Sequence, residues 1–302
     1  MSETLFHCES SDGFRMKFCD LLKSIAEMTV EHYMAPGKTI FVNSGIMYPD
    51  EEPDRTTIFY NLEHKYPIDE NGHLKYCKPN WTEYVNTRYA KMDEIWDFQI
   101  ENYEYFKFHG LGDKFRFKPL RYTTWFERFH TDKESEFEIS LECMVDTDTR
   151  KKMLEILTSS PFELKGDNDI SRICMKMVNT EDISLKYKEK MNCKYGIDIP
   201  HYDTPETYNC LRIYEYICMN KPCIVIDPYE ITMDYFGDLC KYIKDPSFIN
   251  IKTAAMEEPR KDVAEAFKNM TYEDKDFDAY RLKLIKEYSD KTGTAIPDSV
   301  ML

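Results

Sequence analysis

Between Ile199 and Asp227 the chain reads IPHYDTPETYNCLRIYEYICMNKPCIVID, and this stretch leaves few choices of fold. Asp203 or Thr204 can cap the free N–H groups of a helix, and Pro205 suits its first turn, where a missing N–H costs nothing. Cys210, Leu211, Tyr214, Ile217 and Cys218 recur at helical spacing and form one apolar face. Asn220 and Pro222 stop the helix. The next four residues, 223–226, are a short apolar run with β-branched members, the pattern of a parallel strand buried on both faces. Arg212 and Glu215 are three apart, neighbours on the helix surface slightly off the apolar face. A capped helix start with a guanidinium favours phosphate oxygens, and a carboxylate accepts from ribose hydroxyls. The stretch therefore suits a nucleoside diphosphate. A structural helix with a surface Arg–Glu pair is the plainer alternative.

The chain has 302 residues, enough for one large or two ordinary domains with ample core. With 42% hydrophobic and 14% aromatic residues, its composition is that of a globular protein rather than a disordered one. No apolar run approaches the ~20 residues that cross a bilayer, and the first residues lack a signal-peptide pattern, so a cytoplasmic protein without a membrane span is expected. The ten cysteines form no Cys-x-x-Cys pair and show no zinc spacing, so reduced structural thiols and no metal are expected. A net charge of −15 disfavours non-specific nucleic-acid binding, though not a local basic surface.

The first half reads as strand, Gly13-bearing loop and helix, then strands at 39–43 and 57–62. Glu63 and His64 follow the second of these, at the strand end where open α/β sheets bind ligands, and are candidates for acceptor contact or general-base work. Strands at 93–97 and 115–120 flank a helix at 99–108. Residues 107–130 carry six Lys or Arg, among them Arg116, Lys118 and Arg121, against Asp113 and Glu127, an excess of four positive charges interleaved with aromatics. Such a segment can stack bases and meet phosphates, or it can be a domain-crossing segment with aromatics in the core.

The pattern then restarts, with a strand at 137–145 and a helix at 151–158 capped by Asp148 or Thr149. Arg150 and Lys151 in its first turn oppose the helix dipole, which makes more sense if an anion arrives there. A strand at 161–165 ends at Gly166, which would let a flat base approach the backbone. Residues 171–178 and 184–195 read as helical or partly so, 197–199 as a strand, 232–242 and 254–267 as helices, and 276–288 as a charged amphipathic helix.

As an ordered set, Ile58-Phe-Tyr-Asn-Leu-Glu63, Asp93-Glu-Ile-Trp-Asp97, Phe115-Arg-Phe-Lys-Pro-Leu120, Arg150-Lys-Lys152, Asn209-Cys-Leu-Arg-Ile-Tyr-Glu-Tyr216 and Lys221-Pro-Cys-Ile-Val-Ile226 resemble a GT-B glycosyltransferase, similar to the CgeB-like bacterial and viral group. The resemblance covers roughly residues 55–230. It implies an α/β protein of two Rossmann-like domains facing an interdomain cleft: 1–130 on the acceptor side, 131–270 binding a nucleotide-sugar, and a C-terminal helix in 271–302 packing back on the first. It implies a UDP-sugar co-substrate and neither a tightly bound cofactor nor a metal. Arg212 would face the diphosphate, with catalytic weight shared by Glu63, and Glu215 the ribose. Arg150 and Lys151 would support the phosphates, Lys165 and Gly166 would lie along the base, and His201, Tyr202 and Asn209 would complete the donor site. Gly13, Glu63, His64, Arg116, Lys118 and Arg121 would line the acceptor side. The acceptor expected is a hydroxyl, for instance a 5-hydroxymethylated base in phage DNA; a glycan or small molecule is the second choice, and a non-catalytic nucleotide- or nucleic-acid-binding protein the third.

Overall fold

The computed structural model describes residues 5–7, 38–42, 56–62, 68–73, 83, 86–131, 133–142, 148–158, 175–177, 183–200, 210–227, 233–272 and 274–301. The chain divides into two compact units, one of Met1–Trp125 with Met270–Leu302, the other of Phe126–Asn269. Each is an α/β unit on a five-stranded sheet in which every described pairing is parallel.

In the first unit the strands are β1 (Leu5–His7), β2 (Lys38–Val42), β3 (Thr56–Asn61), β4 (Glu94–Asp97) and β5 (Phe115–Phe117). They lie side by side in chain order, without a reversal among the described strands. Ile40, Ile58, Phe59, Tyr60, Ile95 and Trp96 are buried, as short continuous apolar runs are in a parallel sheet covered on both sides. Helix α1 (Asn102–Phe108) joins β4 to β5. It ends where Gly110 takes a φ of 71°. Gly110 N–H then reaches Lys107 O at 3.1 Å and Leu111 N–H reaches Phe106 O at 2.7 Å, a Schellman closure that satisfies the last carbonyls.

The second unit carries β6 (Phe137–Leu141), β7 (Met175–Met177), β8 (Cys193–Asp198), β9 (Cys223–Ile226) and β10 (Cys240–Ile243). Their spatial order is β10-β9-β8-β6-β7, so the order reverses between β6 and β8. This is the flavodoxin-like arrangement, whose ligand site lies at the carboxyl ends of the strands flanking the reversal. The helices are α2 (Asp148–Thr158), α3 (Ile183–Met191), α4 (Cys210–Cys218), α5 (Met233–Phe236), α6 (Phe248–Met256) and α7 (Val263–Thr271). One sheet face, with Ile139, Leu141, Tyr195, Ile197, Ile224 and Ile226, packs on Met153 and Leu157 of α2 and Ile251, Ala254 and Ala255 of α6. Helix α4 stops at Asn220, which takes a φ of 60°. Lys221 N–H bonds Tyr216 O and Asn220 N–H bonds Ile217 O, each at 2.9 Å. The Asn220 side chain meanwhile accepts from Ala264 N–H at the start of α7.

Four sequence expectations change, the first being that the helix expected over 184–195 ends at Met191 and the strand expected over 197–199 begins at Cys193. Residues 232–242 are not one helix: after α5, Gly237 at φ 49° breaks the chain, and Cys240–Ile243 pairs along β9. Met175–Met177 is a strand rather than helical, because β6 offers it an edge. The helix expected over 254–267 is two, since Pro259 cannot donate and disfavours helix in the residue before it. The strand expected at 161–165 lies outside the described residues.

Helix α8 (Asp274–Thr292) belongs to the first unit. Its Arg281 is buried and donates from Nη2 to Phe117 O and to Met301 O, each at 2.9 Å. Among the described residues no helix is long and apolar enough to cross a membrane.

Candidate functional site

The second sheet's other face is built differently from its apolar one. Pointing away from the aliphatic layer are Ser140 and Glu142 at the end of β6, Gly196 and Asp198 on β8, and Asp227 just past β9. Gly196 lets α4 come close: a Cβ there would lie 2.4 Å from Tyr216 Cδ2, so the tyrosine ring occupies the space any other side chain would need. The buried Tyr216 hydroxyl pairs with Ser140 Oγ at 2.7 Å. The hydroxyl proton is held well above the ordinary tyrosine range by burial, against the pull of Lys190.

Around this column sits a set of buried ions. Lys190 of α3 bonds Glu215 Oε2 of α4 at 2.6 Å and also contacts Glu142 Oε2. Lys186, one turn earlier, lies 2.6 Å from Glu142 Oε1. Lys190 Nζ also lies 4.8 Å from the centroid of the Tyr216 ring and 5.1 Å from that of Tyr187. Burial works against each charge, but pairing wins for two of them. Desolvation pushes Glu142 up, and Lys190 and then Lys186 overcome it and hold the carboxyl well below the usual range. Desolvation pushes Lys190 down, and the two glutamates hold it above the ordinary lysine value.

Arg212 lies in the first turn of the described part of α4 and reaches Asp198 Oδ1 with Nη1 at 2.8 Å. Asp198 ends β8, one of the two strands at the reversal, and burial raises its carboxyl even with Arg212 and Arg150 opposing. Most of this cluster is sealed: the side chains of Lys190, Asp198 and Lys186 are 0%, 2% and 5% exposed. Two members reach solvent, Glu142 with 24% of its side-chain surface and Arg212 with 14%. A buried ionic set of this size is a poor device for stability, because apolar replacements of similar volume are often neutral or better. Its position, at the carboxyl ends of the strands flanking a sheet reversal, is where such folds bind ligands.

Arg212 and Glu215 both turn inward, but each holds an internal partner, Asp198 and Lys190 respectively. Arg150 is buried in the first turn of α2, and its charge bears on Asp198. Lys151 is exposed, 3.4 Å from Asp148. Lys165, Gly166, His201, Tyr202 and Asn209 lie outside the described residues, as do Gly13, Glu63 and His64 on the acceptor side. Of the remaining acceptor candidates, Arg116 donates to Asp113 O at 2.6 Å and Phe115 O at 2.8 Å. Arg121 is buried and donates to Thr271 O at 2.7 Å and to Tyr272 O. Lys118 is buried with its ammonium 5.3 Å from the Trp96 ring centroid, and burial, helped by Arg281, pushes it down to about 7.

Sequence reasoning passed over Glu142, Lys186, Lys190 and Asp198. A signal for the lysines was present: α3 offers Tyr187 and Met191 as its inward apolar pair, and Lys186 and Lys190 repeat beside them at the same spacing. No family model matches the chain, and no curated protein matches it. Among solved structures, a single-site variant of the wall teichoic acid polymerase TagF is similar at 9% identity, over 97% of this chain and 90% of that one, with a TM-score of 0.37. The fold stands on the strand orders above rather than on that likeness.

Proposed function

We propose that the chain is a GT-B-type glycosyltransferase that moves a sugar from a UDP-type nucleotide donor to a hydroxyl acceptor. The donor binds the second unit and the acceptor the first. The observation that carries this is Arg212, partly exposed in the first described turn of α4 and anchored to Asp198 at the end of a strand flanking the sheet reversal. A guanidinium held in place by a buried carboxylate is preorganised for a diphosphate. In the reaction the acceptor oxygen bonds the anomeric carbon, the bond from that carbon to the phosphate oxygen breaks, and the hydroxyl proton leaves to a base. Arg212, with the buried Arg150 whose charge also bears on Asp198, offsets the charge growing on the departing diphosphate. Glu63 is the base expected from the sequence.

For the acceptor, a glycan or small hydroxylated molecule suits the first unit better than a DNA strand. Lys114, Arg116 and Arg121 of the basic segment are spent on backbone carbonyls, and Lys118 is buried. Two of the segment's six cations, Lys118 and Arg121, are thus buried, and two more, Lys114 and Arg116, have their donors engaged by the backbone, which leaves Lys107 and Arg128 of the six.

A thermal-shift panel of UDP, GDP, UDP-glucose and GDP-mannose tests the donor. A ligand at a hundred times its dissociation constant stabilises by about 2.7 kcal/mol. Stabilisation by at least one, with slow hydrolysis of its sugar, is the expected result. Stabilisation without hydrolysis or transfer would reduce the protein to a nucleotide-binding module, and no stabilisation by any would remove the reading. Sugar incorporation into 5-hydroxymethylcytosine DNA in the same assay would restore the DNA acceptor.

A further inference from the structure

We infer that Glu142 is a donor-binding residue whose carboxylate accepts a hydrogen bond from a hydroxyl of the nucleotide-sugar, while Glu215 serves from behind through Lys190. The inference rests on the nucleotide-sugar reading above and adds a residue to it.

Glu215 is the carboxylate expected from the sequence to meet a ribose, yet only 7% of its side chain is exposed and its Oε2 is held by Lys190. Glu142 is far more open at 24%, and it stands on the C-terminal end of β6, the other strand at the reversal. It is also close enough to Arg212 for that guanidinium to help keep it ionised. The two side chains of the cluster that reach solvent are thus one cation and one anion, matched to the two chemistries of a nucleotide-sugar: phosphate oxygens and hydroxyl protons.

The state of the carboxylate then decides what it can do. Lys190 and Lys186 hold Glu142 ionised, and a carboxylate so far below its usual range is a poor general base, which works best with a pKa near the operating pH. It is unsuited to phosphate as well, because like charges repel. What remains is acceptance from a neutral donor, and on a nucleotide-sugar that means hydroxyls. Oε2 is buried against Lys190, and Oε1 bonds Lys186, leaving Oε1 with a further lone pair for a ligand. Both lysines are sealed from solvent, so they touch the ligand only through Glu142. Holding a carboxylate on two fixed ammonium groups also removes its rotamer freedom before the ligand arrives, which lowers the entropic cost of binding.

The hydroxyl can belong to the ribose or to the transferred sugar, and the test separates them. Wild type and Glu142→Gln are titrated with UDP, 2′,3′-dideoxy-UDP and UDP-glucose, with GDP-mannose, GDP and its dideoxy analogue replacing them if the guanine series is the one that stabilises the wild type. Glutamine keeps the shape and removes the charge. Loss of a hydrogen bond to a charged group should weaken binding by about 10- to 100-fold. If UDP weakens and dideoxy-UDP does not, the hydroxyl is on the ribose. If only UDP-glucose weakens, it is on the sugar. Equal weakening of all three ligands, or no change in any, overturns the inference while leaving the nucleotide-sugar reading intact. The ratio of two ligands on one preparation is insensitive to the fraction folded, so a partly destabilised variant still answers. A wild type that binds neither series defeats the underlying reading, and the inference falls with it.

Discussion

Both sheets bury an aspartate at the carboxyl end of a central strand, and the two are treated in opposite ways. In the first unit Asp97 ends β4 and is fully buried. It accepts from Asn61 Nδ2 at 2.7 Å, from Gln99 N–H at 2.9 Å and from Asn102 Nδ2 at 3.0 Å. These three donors are neutral: Asn61 ends β3, and Gln99 and Asn102 stand at the entry to α1. The result is a closed knot that ties a strand end to the helix after it. In the second unit Asp198 ends β8 and is also buried, but its partner is the guanidinium of Arg212, which extends to the surface. Glu142 repeats that design with opposite sign, anchored on buried lysines and open at its edge. A closed knot supports a fold, whereas ions anchored inside and open outside can hold a ligand in place.

The sharpest way to break this contrast is Arg212→Ala. Turnover of the nucleotide-sugar should fall by at least about a hundredfold, the size of losing one preorganised donor to a developing anion. The variant also strands buried Asp198, so Arg212→Ala with Asp198→Asn should recover melting temperature without recovering turnover. Recovered turnover in the double variant would show that Arg212 acts on the fold alone. Next in size is Lys190→Met, which leaves Glu142 and Glu215 without their shared cation and should cost about 3–5 kcal/mol in denaturant unfolding. Adding Glu215→Gln should return part of that cost, because it removes one stranded charge.

Asp97→Ala probes the closed knot. It removes the acceptor shared by three donors and should cost about 1–3 kcal/mol, with nucleotide affinity unchanged per folded molecule. An altered affinity would mean that the knot is not merely structural. A pH-dependent effect of comparable size concerns Lys118, which burial pushes down to about 7 in the folded chain, while an unfolded lysine titrates near 10.4. Below about pH 7 both states are protonated and the cost of the buried charge is constant. Between pH 7 and 9 the unfolded state holds more protons, so stability rises with pH by up to about 1.4 kcal/mol per unit. Lys118→Met should flatten that rise, and urea titrations across the range would measure it.

Much of this was legible in the chain. Cys223–Ile226 announces itself as a buried parallel strand because every residue in it is apolar, and Asn220 marks the helix end because asparagine tolerates positive φ better than most residues. The strand at Cys240–Ile243 was hidden for the opposite reason. Lys241 and Tyr242 interrupt the apolar pattern, and only pairing along β9 makes the segment extended. The site divides in the same way. Arg212 and Glu215 stood out because they are adjacent on one helix. Their partners come from elsewhere in the chain, Asp198 from β8 and Lys190 from α3, so the ion pairs exist only once α3, α4 and β8 have come together. Glu142, in a run read simply as strand, gave no local hint that two lysines would meet it.

Arg281 ties the end of β5 to Met301, so the first unit is closed by residues that are synthesised long after its sheet. The second unit is one uninterrupted segment and is finished while the first still waits for residues 270–302. A premature stop just past Asn269 would therefore spare the sequence of the second unit and leave the earlier-synthesised unit unfinished, without the guanidinium that donates to Phe117 O.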